Sequence, residues 1–284
     1  MATFTNQATL TYDGGTTSSN IVSGEILEVL SATKTALSDT YESGETITYI
    51  ISIVNSGATA YTGLTITDNL GAYPFGTPPT TLYPLTYVPG TLTYLVNGSV
   101  QPTPPVTAGP PLTITGINVP AGGNATLIYN ALANTYAPLA DASTITNTAT
   151  ISGSGLTPLT VTETVTAEND TSLTISKAIS PETVVENGQL TYTFVIQNTG
   201  EAAVATDNIT VSDTFNPILD PITVTFNGTP WTAGTNYTYD NTTGQFQTIA
   251  GQITVPGATY TQDPITGVWQ TTPGVAVLKV VGTV

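Results

Sequence analysis

An amine, a carboxyl group and a carboxamide, brought together in an apolar interior, can form a covalent bond without any cofactor. This chain of 284 residues holds three lysines and no arginine or histidine, so the position of each cation is informative. Lys34 and Lys177 continue the period-2 apolar pattern of Leu30 and Ala32, and of Leu173 and Ile175. Both should point inward, where burial favours the neutral, nucleophilic amine. Asp68 and Asp213 close the apolar segments Leu64-Thr-Ile-Thr-Asp68 and Ile209-Thr-Val-Ser-Asp213. Asn147 and Asn6 fall on the expected inward faces of Ile145-Thr-Asn147-Thr-Ala149-Thr-Ile151 and Phe4-Thr-Asn6-Gln-Ala8-Thr-Leu10. The chemistry open to such a set is an isopeptide bond. The lysine attacks the asparagine carbonyl, the acid polarises that carbonyl and relays protons, and ammonia leaves. Lys34 would join Asn147 with Asp68 as relay, and Lys177 would join Asn6 with Asp213 as relay. A buried lysine–aspartate ion pair beside a hydrogen-bonded asparagine stays open as the alternative. Either way no turnover follows, so the chain is not expected to be an enzyme.

These residues belong to a unit that occurs twice. Tyr49 lies fifteen residues past Lys34 in a segment ending Asn55-Ser-Gly57, and Tyr192 fifteen past Lys177 in one ending Asn198-Thr-Gly200. Val96-Asn-Gly98 and Phe226-Asn-Gly228 read as matching hairpin turns, and Ile117-Asn-Val-Pro120 matches Ile253-Thr-Val-Pro256. The anchors keep one order, as an internal duplication requires. The second unit carries an extra loop at about 258–273 and then a strand near Ala276–Val280, but no counterpart of the Asn147 strand. That pattern recurs at the other end of the chain, around Asn6. A surplus strand at the start and a deficit at the end predict donor-strand exchange, with Phe4, Ala8 and Leu10 filling the groove of another copy.

Composition fits this layout. Thr, Val, Ile and Tyr alternate in short runs broken by 26 Gly and 20 Pro, with no sustained helical period, which predicts an all-β chain. The expected architecture is two Ig-like antiparallel β-sandwich domains in tandem plus an N-terminal donor strand. The boundaries are 1–27 for the donor strand and connector, 28–155 for domain 1, 156–170 for a connector and 171–284 for domain 2. A net charge of −16 leaves almost nothing to neutralise phosphates, so nucleic acid is not an expected partner. Zero cysteine excludes disulfides and thiol chemistry, and zero histidine excludes the serine and cysteine triads. No apolar run approaches the ~20 residues of a membrane span, and no cofactor or metal is expected. Asp39, Glu42 and Glu45 read as a solvated acidic turn. The first residues, Met-Ala-Thr-Phe-Thr-Asn, do not resemble a secretory signal. Either a leader has been removed or the protein leaves its cell by another route, of which lysis of a mother cell around a spore is one.

Lysine in a first strand, Asn-x-Gly closing the next, Asp at a strand end and a final x-Asn-x-Ala-x strand resemble a repeat module. That module is catalogued as a domain of unknown function in large bacterial and archaeal surface proteins. Its layout is similar to the isopeptide-forming sandwich domains of Gram-positive adhesins and pilins. The resemblance covers the first unit and all but the last strand of the second. It implies an extracellular place on a cell or spore surface and a structural role in a fibre or spore appendage. The partners it implies are copies of the chain itself, with a tip or anchor protein of unknown identity. A stalk or adhesin repeat of a larger surface protein is the competing expectation.

Overall fold

The protein is described here by a computed structural model covering residues 2–26 and 29–284. Among the described residues it is all-β apart from one short 3-10 turn, and it divides into two compact units. Unit 1 takes in Met1–Pro74, Thr81–Asn134 and Ile145–Val165, and unit 2 takes in Phe75–Thr80, Thr135–Thr144 and Thr166–Val284. The domain boundary expected at 27–28 lies outside the described residues.

The chain opens with β1 (Ala2–Asn6), β2 (Thr9–Tyr12), β3 (Gly15–Ser18) and β4 (Val22–Ile26). They form a hairpin in which β1 pairs β4 and β2 pairs β3. Its apolar side chains stay in the open: Phe4, Leu10, Tyr12, Ile21 and Val22 are each more than half exposed. Within this copy, the expected donor strand is therefore one arm of a hairpin without a core of its own.

Unit 1 is a sandwich. Its strands are β5 (Leu30–Ala36), β6 (Thr40–Tyr41), β7 (Thr46–Asn55), β8 (Tyr61–Asp68), β9 (Tyr73–Phe75), β10 (Thr80–Leu82), β11 (Leu85–Tyr87), β12 (Thr93–Val96), β13 (Ser99–Val100), β14 (Val106–Thr107), β15 (Leu112–Val119), β16 (Asn124–Ala133), β17 (Thr144–Gly153) and β18 (Leu156–Ala167). One sheet runs β13-β12-β16-β7-β5 and the facing sheet β14-β15-β8-β17-β18-β6. Strict alternation along β7 sends Ile47, Tyr49, Ile51 and Ile53 into the core, and the opposite sheet answers with Leu64, Ile66, Ile114 and Ile151. Residues 156–167, expected as a connector, are instead the long strand β18. The reason lies in their own alternation, since Val161, Val165 and Ala167 share one face while threonines occupy the other.

Unit 2 repeats the first sheet strand for strand. Its strands are β19 (Leu173–Ser180), β20 (Gln189–Asn198), β21 (Ser212–Thr214), β22 (Ile222–Phe226), β23 (Thr229–Trp231), β24 (Tyr237–Asp240), β25 (Gln245–Thr248), β26 (Thr259–Gln262), β27 (Trp269–Thr272) and β28 (Gly274–Thr283). The order β23-β22-β28-β20-β19 matches β13-β12-β16-β7-β5. Register agrees too: Lys34 pairs Ile51 and Lys177 pairs Phe194, each seventeen residues further on. The two Asn-Gly turns are alike, with Asn97 and Asn227 both at φ 48° and Gly98 and Gly228 at 78° and 80°. That run of positive φ is what a two-residue hairpin turn of right-handed twist requires. The extra segment at 258–273 is not a plain loop but the hairpin β26–β27.

The second sheet differs between the units. In unit 1, Asp68 of β8 is paired on one side with Leu112 of β15 and on the other with Ala149 of β17. In unit 2, Asp213 of β21 pairs Phe246 of β25, and among the described residues no strand pairs with its other edge.

Candidate functional site

In unit 1 the expected residues converge. Lys34 reaches across from β5 in one sheet to β8 in the other, and its Nζ lies 2.6 Å from Asp68 Oδ2 with both side chains shut off from solvent. The same oxygen accepts the hydroxyl of Tyr129, and Asp68 Oδ1 accepts the Leu70 N–H at 2.8 Å. Lys34 also lies 4.9 Å from the centre of the Tyr49 ring, which stacks on Tyr129 at 5.8 Å. Burial lowers the pKa of Lys34, against the pull of Asp68 and, more weakly, of Glu163. Burial likewise pushes the Tyr49 and Tyr129 hydroxyls up, so both stay protonated donors.

Asn147 completes the set. It is fully buried on β17, and with Ala149 paired to Asp68 it is the diagonal neighbour of that acid on the same inward face. The Asn147 amide lies against the Tyr49 and Tyr129 hydroxyls, whose pKa values it lowers in part. Yet neither its Oδ1 nor its Nδ2 meets hydrogen-bond geometry with any partner. A buried carboxamide without partners costs about 1–3 kcal/mol per unsatisfied group. The Tyr49 hydroxyl beside it likewise lacks a partner, so the unmade hydrogen bonds cluster around Asn147. Within the residues of unit 1, the site therefore holds an amine whose pKa burial lowers, an acid bonded to it and a carboxamide without a hydrogen bond of good geometry.

Tyr129 and Glu163 are neighbours of the site that sequence reasoning missed. Tyr129 was accessible in principle, because its place in β16 puts it opposite Tyr49 in register. Glu163 was hidden inside the stretch read as a connector. By contrast, the Asn-x-Gly anchors are structural. Asn55 donates to the Thr59 and Pro120 carbonyls and accepts the Gly57 N–H, and Asn198 serves its own loop with the same kinds of bond.

In unit 2 the pair is present and the cover is not. Lys177 and Asp213 are bonded as Lys34 and Asp68 are, and Lys177 sits 4.4 Å from the centre of the Tyr192 ring. However, the Lys177 side chain is 40% exposed, where that of Lys34 is 0%. The whole inward row of β19 is open, with Leu173, Ile175 and Ile179 at 36%, 56% and 39% exposure. The expected burial of Lys177 is not met in this copy: none of the described residues forms a strand on the other edge of β21. Asn6, the expected partner of Lys177, is held in β1 opposite Val22 and is exposed, as are Phe4, Ala8 and Leu10. Lys279 is a surface residue.

Among the described residues, no helix is long and apolar enough to cross a membrane, and no group of three or more His, Asp or Glu is arranged to hold a metal ion. No protein-family model matches the chain, and none of the curated proteins does. Solved structures with similar layouts include the pilus backbone protein RrgB of Streptococcus pneumoniae, at 12% identity and a TM-score of 0.36 over 86% of this chain. The chain spans about half of that structure, 55% of its length. The major pilin subunit BcpA of Bacillus cereus matches at 12% identity and a TM-score of 0.36, over 96% of this chain and 73% of the pilin. A collagen-binding domain from a Staphylococcus aureus adhesin matches at 14% identity and a TM-score of 0.30, over 51% of this chain and all of that domain. Likeness at this level does not extend to function.

Proposed function

We propose that the chain is a structural subunit of an extracellular fibre on a cell or spore surface. Unit 1 is locked by a Lys34–Asn147 isopeptide bond, and unit 2 is completed by β1 and β2 of a neighbouring copy, whose Asn6 becomes bonded to Lys177. The observation that carries this reading is one site in two states: closed over a partnerless carboxamide in unit 1, and open above an identical lysine–aspartate pair in unit 2. An exposed segment with the residue pattern of β17 supplies what the open site lacks.

The step balances without a cofactor. Lys34 passes a proton to Asp68 and its neutral Nζ attacks Cγ of Asn147. Asp68 protonates the carbonyl oxygen, whose charge it thereby stabilises, and then carries the amine's second proton to the leaving nitrogen. The Nζ–Cγ bond forms; as the Cγ–Nδ2 bond breaks, Asp68 takes back the proton from the carbonyl oxygen and passes it to the departing nitrogen, so that ammonium leaves and Asp68 is again a carboxylate. Tyr129 holds Asp68 Oδ2 in place throughout. Each molecule reacts once, so this is autocatalysis rather than enzymatic turnover.

The docking of a strand is heterologous and propagates into a filament unless its rotation closes a ring. The tandem repeat itself also fits a stalk of a larger surface protein, in which the strand for unit 2 comes from a following segment of the same chain. Incubation of the full chain at rising concentration separates the two. Filaments by electron microscopy, and a ladder of multimers that survives boiling in detergent, are expected. Monomers at every concentration would remove the fibre reading.

A further inference from the structure

We infer that the element passed between copies is a two-stranded hairpin, residues 2–26, rather than a single strand; this rests on the strand-donation reading above. In unit 1 the place beside β8 is filled by β17 together with β18, joined by a turn at Ser154 and Gly155. The N-terminal segment is built to the same measure, with its turn at Asp13 and Gly14. Asn6 precedes Asp13 by seven residues, as Asn147 precedes Ser154. Val22 follows Gly14 by eight, as Glu163 follows Gly155.

The registers coincide as well. β1 and β4 set Phe4 opposite Gly24, Thr5 opposite Ser23 and Asn6 opposite Val22. In the β17–β18 ladder the Ala167 N–H donates to the Ser143 carbonyl at 2.7 Å, and the Thr146 and Thr164 hydroxyls meet at 3.0 Å. Ile145 therefore faces Val165 and Asn147 faces Glu163. Each N-terminal pair becomes a β17–β18 pair when 141 is added to both numbers. The hydroxyl pair Thr146–Thr164 has its counterpart in Thr5–Ser23. The apolar pair Ile145–Val165 becomes Phe4–Gly24, with volume moved from one strand to the other. The Phe4 ring lies over Gly24, where a Cβ would come within 2.5 Å of it.

Edge chemistry gives the reason for a second strand. β18 carries the unit 1 sheet onward from β17 to β6, so β17 has no open edge. A lone donated strand would leave its outer N–H and C=O groups unpaired in unit 2, whereas a hairpin brings its own cover. An isolated two-stranded hairpin is marginal in water, so β1–β4 has most to gain from a groove. One residue differs with chemical effect: Val22 stands where Glu163 faces Asn147, so the site between copies has one carboxylate fewer.

The test uses Thr5→Cys with Ser23→Cys in the full chain, which has no cysteine of its own. The pair is directly cross-strand, at a Cα separation a disulfide accepts, and corresponds to an outward-facing pair in unit 1. The oxidised protein, its hairpin locked, should assemble as fast as the reduced one. Assembly by the reduced form alone would show that the hairpin must open and would overturn the inference. If neither form assembles while the unsubstituted chain does, amide exchange in the unsubstituted fibres decides. Slow exchange at both 2–12 and 16–25 is expected. Protection of 2–12 with fast exchange at 16–25 would leave a single donated strand, and fast exchange at both would remove strand donation itself.

Discussion

Lys34 and Lys177 occupy one position in two copies of the same sheet, on matching registers and each bonded to an aspartate across the sandwich. Only Lys34 is shut away from water. The local sequence around the two is too similar to explain this, since both strands alternate apolar residues toward the core. What differs is two strands far along the chain: β17 and β18 cover the site in unit 1, and none of the described residues does so in unit 2. Burial of the lysine is decided by a distant hairpin rather than by the strand that carries the residue.

The largest effect is expected from Asp68→Ala. It would remove the proposed proton relay and leave Lys34 buried without its partner, a loss of about 3–5 kcal/mol for the broken pair in addition to the loss of the proposed crosslink. Thermal unfolding should show a large drop in Tm, and intact mass should show no loss of ammonia at unit 1. An Asp68→Ala protein that still lost one ammonia between Lys34 and Asn147 would contradict the assigned role.

Asn147→Ala comes next. The proposed bond would close a segment of 113 residues, 147 minus 34, and by analogy with disulfide loops its loss would cost roughly 4–5 kcal/mol. Unfolding in denaturant, compared with the parent, measures the difference. A parent whose mass equals that of the plain sequence would show that the site is only an ion pair.

A smaller effect concerns pH. Burial lowers the pKa of Lys34 below the ordinary lysine range. The unfolded chain therefore binds more protons than the fold in the window between the lowered and the ordinary value, and stability from this residue rises with pH there. The neutral amine fraction in the fold rises with pH as well. Crosslinking after refolding of the full chain, followed by the appearance of the ammonia-loss mass at unit 1, should slow as pH falls. A rate that increased on acidification would contradict attack by the neutral amine.

The smallest effect is expected from Asp213→Ala in the free monomer. The Lys177–Asp213 pair is partly solvated, and exposed pairs contribute at most about 1 kcal/mol. Tm should hardly move, while covalent multimers should disappear. A destabilisation as large as that of Asp68→Ala would mean that the unit 2 site is already closed.

The duplication, the all-β class, the Asn-Gly turns and the unit 1 triad of Lys34, Asp68 and Asn147 were legible in the sequence, because strand alternation fixes which way each side chain points. Two things were not. Residues 156–167 alternate weakly, with threonines on one face and a glutamate on the other, so a sheet strand read as a linker and Glu163 went unnoticed. The N-terminal segment, in turn, read as one strand because its second arm, with Gly15, Gly24 and several serines and threonines, has little apolar pattern. Its pairing is fixed by register with its own first arm, which only the structure displays.

The most direct measurement is crosslink mapping by mass spectrometry on fibres grown from a mixture of isotope-labelled and unlabelled chains, digested with a protease that does not depend on lysine. A peptide joining Asn6 of one chain to Lys177 of another, in mixed isotopic combinations, is the expected result, together with a Lys34–Asn147 peptide of uniform label. Fibres in which Lys177 is unmodified in every chain, or is joined only to residues of its own chain, would contradict the bond between subunits.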